Sequence, residues 1–72
     1  MNKQDLLKKF GKNAKIIRIK RDLTQEQLAE KMDVGWQHIS GIENGRFNMS
    51  LGKILELANA LETDIGELLI FD

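Results

Sequence analysis

The chain reads as an all-α domain. Apolar residues recur at helical spacing in successive stretches, Ser and Thr residues punctuate those stretches at capping positions, and no segment alternates with period two over a useful length. Proline is absent, so nothing in the sequence breaks a helix from within. The pattern predicts five short helices.

The first is expected over about Asp5–Arg21, with Leu6, Leu7, Phe10, Ala14, Ile17 and Arg18 on its inner face and Gly11 as a mild weak point. Thr24 stands three residues before Gln27, and this Thr-x-x-Gln capping box opens a second helix over Gln25–Met32. Its apolar face is Leu28, Ala29 and Met32. Asp33 tolerates the left-handed conformation that would turn the chain, and Gly35 opens the next element. The third helix is expected over Trp36–Asn44. Ile39 and Ile42 face inward, Gln37, Ser40, Gly41 and Asn44 face outward, and Asn44-Gly45 is the stop. Ser50 caps a fourth helix carrying Leu51, Ile54, Leu55, Ala58 and Leu61 to about Glu62. Asp64 with Glu67 predicts an acidic capping box for a short fifth helix, which ends on Leu68, Leu69, Ile70 and Phe71.

The 72 residues suffice for one domain, spanning 1–72. At this size only roughly 60% of the unfolded surface is buried, so the core is small. With no Cys and one His there is no disulfide and no expected metal cluster. No nucleophile–base pair or phosphate loop points to an enzyme, and no cofactor or small-molecule ligand is expected. No apolar run reaches the ~18 residues of a membrane span, and the N-terminus lacks the apolar core of a secretory signal. A cytoplasmic location is the expectation. The net charge of zero hides an asymmetry: residues 1–21 hold eight Lys or Arg against one Asp (+7), and residues 22–72 hold three against ten Asp or Glu (−7). Such a chain can present a basic face to an anion and turn its acidic face away, or carry a solvated basic helix with no partner.

The informative stretch is residues 24–45. Two short helices joined by about three residues cross steeply only if their contact is small and apolar. Ala29 supplies the small contact, and Leu28, Met32, Val34, Ile39 and Ile42 fill the angle. That pattern describes a helix-turn-helix, whose second helix can enter a major groove.

Leu23-Thr24-Gln25-Glu26-Gln27-Leu28-Ala29-Glu30-Lys31-Met32 resembles the opening of the Cro/phage-repressor type helix-turn-helix, the XRE family. Ile39-Ser40-Gly41-Ile42-Glu43-Asn44-Gly45 matches its second half, and Gly11-Lys12-Asn13 and Ser50-Leu51 also fit. The likeness covers roughly residues 10–71. Ile39 to Glu43 followed by Asn48-x-Ser50 is most similar to the small controller proteins of restriction–modification systems.

The resemblance implies a compact five-helix bundle of the lambda-repressor-like type that binds double-stranded DNA. It assigns base reading to Trp36, Gln37, Ser40 and Gly41, and a phosphate contact to Gln25, where backbone N–H groups and the helix dipole also favour an anion. It places Arg46 and Asn48 in a loop that touches the DNA backbone and ties Arg18 to Glu43 in a structural ion pair. Beside the resemblance, His38 reads equally as a phosphate contact or a plain surface residue, and Lys12 and Lys15 of the basic first helix could help hold phosphates at the flank. Gln37 suits a bidentate contact with adenine. Gly41 lacks a side chain and would let the helix lie close. For Trp36 two readings stay open, an exposed contact with DNA or a ring folded back into the core.

Three departures stand out. Asp33 replaces a common Gly, Gly35 replaces a capping Ser or Thr, and Ile16 and Ile19 occupy commonly polar positions. The expected activity is that of a transcriptional regulator binding as a homodimer to a palindromic site, with half-sites about 10 bp apart. The helices over about 51–70 are the expected dimer surface through Leu68, Leu69, Ile70 and Phe71, unless those residues complete the core. The antitoxin of a toxin–antitoxin pair and a protein adaptor that kept the fold are the rival readings.

Overall fold

A computed structural model describes residues 1–71, and it is all-helical among them. The order is α1 (Lys3–Lys20), α2 (Gln25–Met32), α3 (Trp36–Glu43), α4 (Leu51–Ala60) and α5 (Ile65–Leu68). The helix-turn-helix is α2, its turn and α3.

Local chemistry sets most boundaries. α1 starts two residues earlier than the periodicity predicts, because the Asn2 side chain accepts a hydrogen bond from the Asp5 N–H (2.8 Å) and so caps it. At α2 the capping box is complete: Thr24 Oγ1 accepts from the Gln27 N–H (3.0 Å), and Gln27 Oε1 accepts from the Thr24 N–H (2.9 Å). Asp33 ends α2 in the left-handed region (φ 57°), as expected. Gly45 takes φ 73° just after α3, where its missing Cβ also avoids the Lys8 backbone. Ser50 caps α4, accepting from the Lys53 N–H (3.2 Å). α4 is shorter than expected and ends at Ala60, with Glu62 left-handed (φ 54°). The box expected at Asp64 and Glu67 does not form; Asp64 makes no side-chain cap, and α5 is a single turn.

Every helix supplies the core: Phe10 and Ala14 from α1, Leu28 and Ala29 from α2, Ile39 and Ile42 from α3, Leu57 and Ala58 from α4, and Leu68 from α5, joined by Leu61. Expectations for individual side chains need correction. Leu6 is largely exposed, at the rim of a small cavity that it lines with Met49, Ile54, Leu69 and Phe71. Leu68 is fully buried and unavailable to a partner, since Asn13 Nδ2 donates to the Glu67 and Leu68 carbonyls (both 2.9 Å) and clamps α5 onto α1. Leu69 and Ile70 do reach solvent, and Phe71 is partly buried against the core. Val34 is exposed and does little to fill the interhelix angle.

Gly11 is a contact rather than a weak point. A Cβ there would overlap the carbonyl oxygens of Ile42 and Glu43, so the residue lets α1 lie directly on the end of α3.

Candidate nucleic-acid interface

The position of α3 is fixed from below. Arg18 Nε donates to Glu43 Oε2 (2.6 Å), and Arg18 Nη2 donates to Oε1 (3.2 Å), a bidentate pair in which both residues are buried. Arg18 Nη1 also donates to the Leu23 carbonyl (2.7 Å), so the guanidinium ties the turn before α2 to the same point. No buried side-chain polar atom among the described residues lacks a partner. The expected Arg18–Glu43 pair is therefore present, fully hydrogen-bonded, and joins α1 to α3.

Gln25 belongs to this network, a link the sequence did not suggest. Its Nε2 donates to Glu43 Oε1 (3.0 Å) while the residue stays partly exposed at the start of α2. One amide hydrogen is thus used inside the protein, and the second remains for an outside acceptor. The first-turn N–H groups of α2 add the positive end of the helix dipole beside it.

The tip of α3 is open. Gly35 precedes it with no side-chain cap, and Trp36 is 49% exposed, so the ring is not part of the core. Gln37 is exposed. Ser40 is half-buried, and its Oγ and carbonyl accept from Asn44 Nδ2 (3.3 and 2.8 Å). Gly41 requires a correction. By helical spacing it lies on the outward face, four residues after Gln37, yet it is buried beneath the Phe47 ring. It has no side chain to offer a base, and the space where one would stand is filled by the ring.

The loop after α3 carries the remaining groups. Arg46 and Asn48 are exposed. His38 is half-buried and stacks on Phe47, with ring centroids 5.1 Å apart and planes at 26°. Lys12 and Lys15 part company. Lys15 shares the stripe of α1 that carries Gly11 and Arg18 against α3, whereas Lys12 lies beside Asn13, Ile16 and Phe71 at the α5 end. Three residues absent from the sequence reading join the loop: Phe47, Lys8 against Gly45, and Gln4, whose Nε2 donates to the Gly45 carbonyl (3.4 Å). An outward glycine followed within six residues by an aromatic was the only signal for Phe47.

A helix pair of this shape, with its second helix clamped at one end and bare at the other, defines a helix-turn-helix protein. The family model described as Helix-turn-helix matches residues 15–68, and the chain belongs to that family. It is 39% identical over 56 residues to the immunity repressor protein of Bacillus phage phi105, covering 78% of this chain and 39% of the repressor, so it spans about two fifths of that relative's length. More particularly, it is similar to the restriction–modification controller protein C.AhdI from Aeromonas hydrophila, whose crystal structure superposes with a TM-score of 0.87 at 35% identity, covering 94% of this chain and 99% of that one. The controller protein C.Esp1396I, solved as a tetramer in complex with its natural 35 base-pair operator, matches with a TM-score of 0.75 at 32% identity over 90% of this chain and 96% of that one.

Proposed function

We propose that the chain is a sequence-specific, cytoplasmic regulator of transcription that binds duplex DNA as a homodimer on a palindromic operator. The observation that carries this reading is the solvent-facing tip of α3, with Trp36 and Gln37 bare on a helix whose other end is anchored by Glu43. Trp36, Gln37 and Ser40 read base edges. Gln25, His38, Arg46, Asn48 and Lys15 hold phosphates, and Lys12 stands at the margin of that surface. A second copy is expected to cover the apolar end formed by Leu51, Leu55, Leu69 and Ile70, all exposed in this single chain. The relatives named above, among them a controller protein solved on its operator, support the same reading.

Selection of bound duplexes from a random pool, followed by binding across a salt series, tests it. The expected result is a palindromic site with half-sites about 10 bp apart. The log–log salt slope should approach about −0.9 per phosphate contacted. Gln37→Ala should relax preference at particular base pairs, while Arg46→Ala should weaken all sites alike and reduce the slope by about one contact. Failure to retain any duplex at low salt would overturn the reading and favour a protein partner instead.

A further inference from the structure

Phe47 lies outside α3, yet it occupies the reading face of that helix. Ile39 and Ile42 point into the core. The opposite side of an eight-residue helix at 100° per residue is the line Gln37, Gly41, Asn44. Gln37 and Asn44 are exposed there, as that line requires, but Gly41 between them is buried. What buries it is the Phe47 ring: a Cβ on Gly41 would overlap Cε2 and Cζ of that ring. The ring therefore fills the space that a side chain at position 41 would take. His38, three residues before Gly41, stacks on the ring's face and fixes its orientation. The ring is nonetheless 41% exposed, so it is not absorbed into the core.

We propose that Phe47 is a specificity-determining residue that the loop supplies to α3 in place of a side chain at position 41, and that its exposed edge takes the C5-methyl of a thymine in the major groove. This rests on the DNA-binding reading above. The chemistry selects the ligand. An aromatic ring has no hydrogen-bonding group for the polar base edges, and the thymine methyl is the apolar group that the major groove offers. Gln37, one turn before Gly41 on the same line, would engage a neighbouring base pair through its amide. The recognition surface then joins the helix readers Trp36, Gln37 and Ser40 with an apolar reader from the loop. The sequence placed all of its base readers on the helix.

The test uses the full chain and the duplex recovered by selection, with each thymine in turn replaced by deoxyuridine, which removes only the methyl. The wild type should lose about fourfold in affinity at one thymine of each half-site, the effect of one methyl withdrawn from an apolar contact. In Phe47→Ala that penalty should vanish while the penalties at other thymines persist. A ring that merely propped up the loop would weaken every duplex equally and leave all the penalties in place. Gly41→Ala provides a second route, since its Cβ would push the ring off α3 without altering the ring. It should erase the same penalty, and adding Phe47→Ala to it should change nothing further. The proposal is overturned if both variants keep every penalty, or if the wild type holds its operator but ignores all thymine methyls. If the wild type retains no duplex from the pool, the regulator reading falls first and this proposal with it.

Discussion

At its C-terminal end α3 presents Ile39, Ile42 and Glu43 to the interior, all buried, with the α1 backbone pressed against it at Gly11. At its N-terminal end the same helix begins on Gly35 without a side-chain cap and carries Trp36 and Gln37 in solvent. Eight residues thus divide into an anchored base and a tip without a side-chain cap, where the His38 N–H turns back to the Gly35 carbonyl (3.0 Å). The neighbouring α2, equally short, does the opposite at its start, where Thr24 and Gln27 close the helix reciprocally. A helix that must meet an external partner benefits from leaving its leading N–H groups free, provided its other end supplies the rigidity. Anchoring and exposure thus fall on different turns of one helix, so each can be perturbed separately.

The largest expected effect comes from the base. Glu43→Ala leaves a buried guanidinium without its carboxylate and removes the acceptor of Gln25 Nε2. Loss of one partner from a buried pair costs about 3–5 kcal/mol. At roughly 0.05–0.15 kcal/mol per residue a domain of this size has about 4–11 kcal/mol of stability in total, so this variant should lose a large share of it. Replacing both partners by apolar residues, Arg18→Met with Glu43→Leu, should recover most of the loss, because no uncompensated charge remains. Thermal melts followed by circular dichroism check both. A single variant that loses less than about 1 kcal/mol would show that the pair does not anchor α3.

Gly11→Ala should have the next largest effect, and here two magnitudes oppose each other. Alanine gains about 1 kcal/mol of helix propensity over glycine. Against this, its Cβ meets two backbone carbonyls, which cannot swing aside as a side chain would. Overpacking of that kind costs about 1–3 kcal/mol, so the net change should be a destabilisation. Gly52→Ala on α4 is the matched contrast. It meets only Ser50 Oγ at 3.9 Å, so propensity should win there and the variant should gain about 0.5–1 kcal/mol. Equal effects at the two sites would mean that α1 and α3 are not in close approach.

What was legible in the sequence follows the same division. Boundaries fixed by local chemistry could be read directly: Thr24 with Gln27, Asp33, and Ser50 each act within three residues of themselves. The bidentate Arg18–Glu43 pair was legible only through resemblance, because 25 residues separate its members. Long-range packing was hidden. Gly11 looks like any helix-weakening glycine until the α3 carbonyls are placed beside it. Leu68 and Leu69 are chemically identical in the sequence, yet one is buried and the other exposed, a difference set by the clamp of Asn13 on the end of α5. On the outer face of α3, Gln37 was legible by helical spacing, whereas Phe47 was not, since its place depends on how the loop folds back over Gly41.

The smallest effect belongs to the tip and tests what a side-chain cap would add there. Gly35 has φ −77° and ψ 156°, ordinary extended backbone, so serine fits there without strain. Its hydroxyl should accept from the first turn of α3, as Thr24 does in α2, and gain a few tenths of a kcal/mol. For a domain this small that corresponds to a rise in Tm of about 1–3 °C. The new Cβ would meet Gln37 Oε1 at 2.8 Å, the far end of a flexible side chain, which must turn away. Gly35→Ser should therefore stabilise the fold slightly while changing the pose of Gln37, and its selected operator should shift at the base pair that Gln37→Ala relaxes. A gain in Tm with an unchanged operator would separate the cap from the reader. No gain at all would mean that the existing bond from the His38 N–H to the Gly35 carbonyl (3.0 Å) serves as well as a side-chain cap, and the division between base and tip would fail at its open end.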